Sequence, residues 1–290
     1  MSSPSVALRD GARGRRSRAV LGRLVAYVIL LVLALSATVP FLWMISTSLK
    51  TNEAAFAVPP EWIPSAPQWD NYAAVFRNAP FGLFAVNSTK IATLTTLGTL
   101  ISCSMGAFAF ARLRFPGRGL LFAVLLSVLM IPSQVTLIPV YFVMAKLGWI
   151  NTHFPLIVPA WFGGAFGIFL LRQFFMTLPQ ELMDAARIDG CTPYGVYGRI
   201  FLPLAKPALA TLAILTFIGS WNDFLNPLIY LNDQSMMTIP VGLVSFQGLH
   251  NSEWGPLMAG SFMACLPMLA LFVAGQRYFV RGIVLSGLKG

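Results

Sequence analysis

The stretch Leu24–Ser48, LVAYVILLVLALSATVPFLWMISTS, contains no charged side chain over its whole length. A helix crosses the hydrocarbon core of a bilayer with about 20 predominantly apolar residues. A basic segment precedes this block, as in a secretory signal peptide, but the block is too long for one and continues past the weak small-residue site near Ser36. The sequence therefore predicts a retained membrane span.

Five further apolar blocks follow and have about the length of a span: Asn87–Ala111, Leu120–Ala145, Phe154–Leu171, Ala208–Leu231 and Leu257–Val280. Of the 290 residues, 57% are hydrophobic and 10% are charged, whereas about 25% are charged in an ordinary soluble domain. This composition excludes a soluble enzyme, a disordered chain and a fibrous protein. We predict an all-α integral membrane protein with six transmembrane helices in one domain, residues 24–290, behind a flexible basic arm, residues 1–23.

The basic residues predict the orientation of these spans. If the N-terminus is cytoplasmic, most of the 20 Lys and Arg residues lie in cytoplasmic segments, as the positive-inside rule requires. The exceptions are Lys50, Arg77, Lys90 and Lys146. We therefore expect both termini in the cytoplasm. Because the basic residues flank apolar blocks and form no continuous patch, the net charge of +10 does not indicate nucleic-acid binding.

Two connecting segments are longer than a turn. Residues 50–82 are rich in Pro and Trp, which suits irregular packing at a membrane interface. Residues 172–207 carry the densest charge in the second half of the chain. Their segment 177–193, TLPQELMDAARIDGCTP, predicts two short helices and a tight turn, because Thr177 and Gln180 have capping-box spacing and Gly190 can end a helix in the left-handed conformation.

The adjacent Ala185 and Ala186 in this segment would leave a low-relief surface that another protein can approach closely. Flanking carboxylates could pair with Arg or Lys of that protein. The alternative is a solvated amphipathic helix that lies on lipid headgroups. The spacing of the residues leaves both interpretations open.

From Glu181 through Ala208 the segment resembles the EAA loop of permease subunits in bacterial ATP-binding-cassette importers. The family pattern is E-A-A, three residues, G, nine residues and I-x-L-P, and it is matched here by Asp184-Ala185-Ala186, Gly190 and Ile200-Phe201-Leu202-Pro203. Asp184 replaces the usual Glu and is one methylene shorter. Ser220–Phe224 and Val284–Gly290 are similar to the carbohydrate-uptake branch, and the likeness is to the six-span permease of the maltose type.

This resemblance implies that the loop is a coupling helix seated in a cleft of a cytoplasmic ATPase. The residues that it implies for ATPase coupling are Glu181, Asp184, Ala185, Ala186, Asp189 and Gly190. It also implies the partners: a second homologous permease, two copies of a P-loop ATPase and an extracytoplasmic solute-binding protein, all acting at the bacterial cytoplasmic (inner) membrane. The chain itself has no Gly-x-x-x-x-Gly-Lys-[Ser/Thr] motif. We therefore predict a transport subunit that binds no cofactor or metal and is no enzyme, with ATP and Mg used by the partner.

Polar residues within the spans mark a candidate substrate pathway. Asp223 is costly at membrane depth, and the adjacent Trp221 and Asn222 could stack on a sugar ring and bond its hydroxyls. The alternative is that Asp223 orders a loop at the outer interface or packs against the second permease. Gln134 follows Pro132 in the third span, where we predict a helix bend that faces the pathway or is purely structural.

These observations together predict the permease subunit of an ATP-driven, binding-protein-dependent sugar importer that works by alternating access. The same machinery could carry glycerol phosphate, a peptide or an amino acid, but Lys90 is the one cation expected within a span, which favours a neutral sugar. A six-span channel gives no reason for the Asp-Ala-Ala loop. An intramembrane enzyme is disfavoured because the spans carry no carboxylate pair, HExxH motif or Ser/His set.

Overall fold

The computed structural model describes the backbone of residues 5–247 and 253–287 and the side chains of residues 21–247 and 253–276. Regular structure in this part of the chain is helical. The ten main helices are α1 Ser5–Ser48, α2 Asp70–Asn78, α3 Phe81–Arg112, α4 Arg118–Ser127, α5 Ser133–Lys146, α6 Ala165–Thr177, α7 Glu181–Ile188, α8 Lys206–Trp221, α9 Leu225–Tyr230 and α10 Trp254–Gly287. Shorter turns connect them at Asn52–Ala55, Val128–Met130, Phe154–Ile157, Val158–Phe162, Pro193–Val196, Tyr197–Phe201, Leu202–Leu204, Gln234–Met236, Ile239–Leu243 and Val244–Phe246.

The helices agree in number and position with the six predicted spans. Four are long and apolar enough to cross a membrane: Leu21–Ser48, Phe81–Arg112, Phe154–Thr177 and Trp254–Gln276. Two bent helix pairs, Arg118–Met130 with Ser133–Lys146 at 101° and Pro193–Leu204 with Lys206–Trp221 at 77°, bring the number to six if each pair counts as one span. The prediction of an all-α membrane fold is confirmed.

Two boundaries differ from the sequence prediction. Helix α1 begins at Ser5 and runs unbroken into the first span, so no break separates the predicted arm from it. Span 5 was predicted to continue to Leu231, but α8 ends at Trp221 and a new helix begins at Leu225. The apolar character of the block continues past this break, which is why hydropathy did not reveal it.

Small residues let α3 and α6 pack closely along the centre of the bundle. A Cβ added to Gly167 of α6 would lie 2.7 Å from Cys103 Sγ of α3, and one on Gly98 would lie 2.5 Å from the Trp161 ring. Cys103 Sγ also accepts a hydrogen bond from the Gly164 backbone N–H at 3.2 Å. In membranes, where helix association depends on van der Waals packing, such close approach favours association. The two helices thus form a unit on which α8 also packs.

The Pro- and Trp-rich segment packs against the end of α1. Ser46 Oγ donates to the Trp62 carbonyl at 2.6 Å, and the Trp43 and Trp62 rings meet edge to face at 5.1 Å. Lys50 is buried with its ammonium 4.1 Å from the centre of the Trp43 ring. Burial lowers the pKa of Lys50, and the nearby Glu61 carboxylate opposes this effect. Lys50 is one of the four basic residues that the predicted topology leaves outside the cytoplasmic segments, and it is therefore packed within the protein.

Candidate functional site

The loop between spans 4 and 5 forms the helix–turn–helix that its sequence predicts. Helix α7 ends at Ile188, and Gly190 has a φ of +75°, the left-handed conformation that glycine adopts without a steric penalty. Thr192 then caps the next helix by accepting a hydrogen bond from the Gly195 backbone N–H at 3.3 Å, with Pro193 at its first position. The turn chemistry thus directs the chain back toward the bundle.

The start of α7 differs from the predicted capping box. The helix begins at Glu181, and its N-cap, Gln180, makes no side-chain cap bond. The Thr177 hydroxyl donates instead to the Phe174 carbonyl at 2.8 Å. The Gln180 amide is used elsewhere, because its Oε1 accepts a hydrogen bond from Arg112. Tertiary contacts therefore replace the local cap.

The two alanines of the motif face in different directions. Ala186 and Met183 are buried, with 4% and 1% of their surfaces exposed, whereas Ala185 and Asp184 are exposed. The prediction that both alanines form one open surface is wrong for Ala186, because residues 100° apart on a helix cannot both lie on the centre of one face. Ala186 belongs to the surface that seats α7 on the bundle.

The seat beneath α7 is an apolar cluster built from α3, α6, α8 and the loop itself. Its buried members are Cys103, Ala107, Phe108, Ile168, Leu171, Phe175, Met183, Ala186, Val196, Phe201, Ala205, Ala208 and Leu212. Phe108 packs edge to face against two other aromatic rings of the cluster. Its ring centroid lies 6.3 Å from that of Phe175 and 5.3 Å from that of Phe201. A hydrogen bond of 2.8 Å between the hydroxyls of Ser104 and Tyr197 adds a polar link. Helix α7 thus contributes Met183 and Ala186 to an apolar cluster that it shares with three membrane helices.

The outward side of the loop carries two large apolar side chains. Ile188, at the end of α7, is 86% exposed, and Tyr194, at the start of the next helix, is 81% exposed. Such residues serve as anchors in protein interfaces. The sequence analysis did not include them among the site residues. Their signal was present, since an apolar residue on the charged face of a short helix has no partner within that helix.

The loop also carries exposed charged side chains. Glu181, Asp184, Arg187 and Asp189 are all exposed. Arg187 and Asp184 form an ion pair of 3.9 Å one turn apart, with both side chains more than half exposed. An exposed pair of this kind contributes little stability, so Asp184 can exchange Arg187 for another cation. The loop thus exposes both apolar and charged side chains, and protein interfaces combine the two.

The four candidate pathway residues lie at two helix breaks. Trp221 and Asn222 end α8 and line a cavity of about 230 Å³ together with Ser261 and Met268. Trp221 is 4% exposed, its Nε1 donates to the Ala264 carbonyl at 3.1 Å, and its ring stacks on Phe217. In this conformation the ring is therefore used mainly in packing within the protein, and its predicted stacking on a sugar stays a prediction.

Asp223 and Gln134 differ in their surroundings. Asp223 lies two residues before α9, and its Oδ1 accepts the Asn226 backbone N–H at 3.2 Å while its Oδ2 accepts the Asn226 side-chain amide at 2.8 Å. This is the loop-ordering role that the sequence analysis kept as an alternative. Gln134 is exposed just after the 101° bend. Within the described residues, no three His, Cys, Asp or Glu side chains are placed to hold a metal ion.

The fold and the loop together define a class of protein: a polytopic α-helical membrane protein with a helix–turn–helix loop between two of its spans. Residues 98–284 match the family model described as the binding-protein-dependent transport system inner membrane component. Because this match covers more than half of the chain, the chain belongs to that family. It is a transport permease of the inner membrane, as predicted.

Proteins with similar sequences carry named transport functions. The chain is 40% identical over 230 residues to an arabinooligosaccharide transport system permease of Halalkalibacterium halodurans, which covers 78% of this chain and 81% of the relative. It is 35% identical over 267 residues to an sn-glycerol-3-phosphate transport system permease of Pectobacterium atrosepticum, covering 89% and 95%. The fold resembles a chain of a bacterial ABC transporter that imports alginate, with a TM-score of 0.81, 24% identity and coverage of 91% and 98%.

Proposed function

We propose that this permease imports a sugar or sugar derivative in an ATP-driven complex, with α7 as its coupling helix. The observation that carries the proposal is the two-sided construction of α7. Met183 and Ala186 seat the helix on α3, α6 and α8, while Ile188 and the neighbouring Tyr194 remain exposed. A solvated loop helix would need neither an apolar seat nor exposed apolar anchors.

The partner at this surface is a cytoplasmic ATPase. The chain has no phosphate-binding loop of its own, so the energy for uptake comes from another polypeptide that binds ATP and Mg. Ile188 and Tyr194 would enter a cleft of that ATPase, and Asp184, Glu181 and Asp189 would pair with basic residues at its rim. Two copies of the ATPase would engage this chain and a second homologous permease.

The mechanism proposed is alternating access. A loaded solute-binding protein docks on the extracytoplasmic side while ATP closes the ATPase dimer. Closure moves α7, and the apolar seat transmits the movement to the spans as a rigid-body displacement, because packed cores do not deform continuously. The spans then open outward to receive the solute. Hydrolysis returns the pathway to its inward-facing state.

The relatives support a sugar or a related polyol compound as the solute. Their names specify arabinooligosaccharides and glycerol-3-phosphate, which share several hydroxyl or ether oxygens. Asn222 and Ser261 at the 230 Å³ cavity could hydrogen-bond such oxygens. The bend before Gln134 gives further support, because irregular backbone at membrane depth is tolerated only where protein or water covers it.

Reconstitution tests the proposed function. We expect the chain, assembled in proteoliposomes with its companion permease, ATPase and binding protein, to accumulate an oxygen-rich solute only when ATP is supplied. Suitable probes are arabinooligosaccharides, alginate oligosaccharides and sn-glycerol 3-phosphate. The chain alone should be inert in liposomes. Conduction by the chain alone would establish a channel instead, and an assembly that transports none of these probes would contradict the sugar assignment.

A charge-removing substitution tests the pathway role of Asp223. Asp223→Asn keeps an oxygen that accepts the Asn226 backbone N–H, so α9 should remain capped. If the carboxylate bonds the solute, KM for uptake should rise about tenfold, since a hydrogen bond to a charged group is worth about 1.5–3 kcal/mol. Asn226→Ala, which removes a partner of the cap and leaves the carboxylate, is the control. An unaltered KM in Asp223→Asn would leave this residue with its structural role alone.

A further inference from the structure

Arg112, the last residue of α3, contacts the end of α6 and the start of α7. Its Nη1 donates to Gln180 Oε1 at 2.7 Å, and its Nη2 donates to the carbonyls of Phe175 and Leu178. The guanidinium carbon also lies 5.0 Å from the centre of the Phe201 ring. One side chain therefore joins the end of span 2, the end of span 4 and the residue immediately before α7.

The chemistry of these acceptors explains why an arginine is needed. The Phe175 and Leu178 carbonyls lie at the carboxyl end of α6, where the helix dipole places partial negative charge, and the Phe175 carbonyl also accepts the Leu178 backbone N–H. A guanidinium offers several N–H donors in a fixed planar fork. It can therefore bond two carbonyls and an amide oxygen at once, whereas the single ammonium of a lysine could not hold the same geometry.

A second arginine makes the reverse connection. Arg172, on α6, donates from Nε to the Phe110 carbonyl in the last turn of α3 at 3.3 Å, and its guanidinium carbon lies 4.1 Å from the centre of the Phe122 ring. Each of the two helices thus supplies a cation to the carbonyl end of the other. This reciprocal pair, Arg112 and Arg172, ties the ends of α3 and α6 together beside the coupling loop.

Gln180 extends the connection into α7. Its Oε1 accepts from Arg112, and its Nε2 lies 3.4 Å from Asp184 Oδ1, one turn into the helix. Asp184 occupies the first motif position on the exposed side of α7. A polar path therefore runs from the end of α3 through Gln180 to a residue of the proposed ATPase-facing surface, alongside the apolar seat.

We infer that Arg112 is a positioning residue that holds α7 in register with the spans through Gln180, so that movement of the coupling helix becomes movement of the pathway. This inference rests on the proposed function, since it assigns a role within the same coupling. Neither Arg112 nor Gln180 needs to touch the ATPase or the solute. Their effect is on how much transport each hydrolysed ATP produces.

The test measures solute transported per ATP hydrolysed, in proteoliposomes that contain the complete complex. Gln180→Ala removes the link into α7 and leaves the bonds of Arg112 to the Phe175 and Leu178 carbonyls. We expect basal ATP hydrolysis to persist while the ratio falls at least about fivefold, the lower end of coupling between sites. In Gln180→Glu, which offers Arg112 a carboxylate, the ratio of solute transported to ATP hydrolysed should stay close to the wild-type value. Arg112→Lys should resemble Gln180→Ala.

The control is Arg118→Gln. Arg118 donates to the Leu113 carbonyl, five residues before it, and not to the coupling loop. Its substitution should leave the ratio unchanged. A purely structural role would reduce the amount of assembled complex but not the ratio for each complex. A wild-type ratio in Gln180→Ala would overturn the role inferred for Arg112. ATP-driven uptake by the wild-type complex would still support the proposed importer function. Absence of ATP-driven uptake in the wild type would instead refute the proposed function.

Discussion

Replacing Ile188 with glutamate is expected to abolish solute-stimulated ATP hydrolysis by the assembled importer and to leave the permease folded in the membrane. Ile188 is 86% exposed at the end of α7, so its substitution removes no packing within this chain. Loss of a central apolar anchor typically costs an interface about 2 kcal/mol or more, or roughly 30-fold in affinity. A carboxylate forced into an apolar cleft would add to this cost.

Two measurements distinguish this result from misfolding. The ATPase should no longer co-purify with the Ile188→Glu permease, whereas the yield and thermal stability of the permease alone should match the wild type. Ile188→Leu keeps an apolar side chain of the same size and should retain stimulation. Tyr194→Glu should behave like Ile188→Glu if both side chains enter one cleft. Full ATPase retention in Ile188→Glu would show that the anchor lies elsewhere.

Glutamate substitutions at the two motif alanines are expected to impair different properties of the permease, namely the seating of α7 and the binding of the ATPase. Ala186→Glu would place a carboxylate in the apolar cluster around Phe108 and Met183. Burial of an unpaired charge costs several kcal/mol, so α7 should leave its seat even without a partner. Ala185 is exposed, and Ala185→Glu should leave α7 seated and weaken only the binding of the ATPase.

Limited proteolysis of the permease alone separates the two substitutions. Trypsin should cleave after Arg187 or Arg199, both exposed in the loop, much faster in Ala186→Glu than in the wild type, because the loop has lost its packing. Ala185→Glu should show the wild-type rate of cleavage together with reduced ATPase binding. Equal protection of Ala186→Glu and the wild type would mean that the seat does not depend on Ala186.

The apolar blocks and turn residues were readable from the sequence because each depends on local chemistry. Span positions follow from the number of apolar residues needed to cross a bilayer. Gly190 and Thr192-Pro193 have conformational preferences that act within a few residues, and the structure places them as predicted. Pro132 likewise predicted a bend in span 3, although its size of 101° depends on the neighbouring helices.

Other features depend on contacts between distant residues. The end of α8 at Trp221 falls within an apolar block, and that ring packs on Phe217 and bonds the Ala264 carbonyl. The acceptors of Arg112 are 63 to 68 residues away along the chain. No local pattern specifies which carbonyls a positive residue at the end of a span will meet.

The sequence by itself determined a six-span helical membrane protein with a helix–turn–helix between spans 4 and 5, because bilayer thickness and turn chemistry act locally. Only the tertiary structure decided which side of that loop is buried. An eight-residue helix presents Ala185 and Ala186 to different directions, and either could face inward until the Phe108 cluster forms beneath one of them. Packing against α3 and α6 buries Ala186 and leaves Ile188 and Tyr194 exposed.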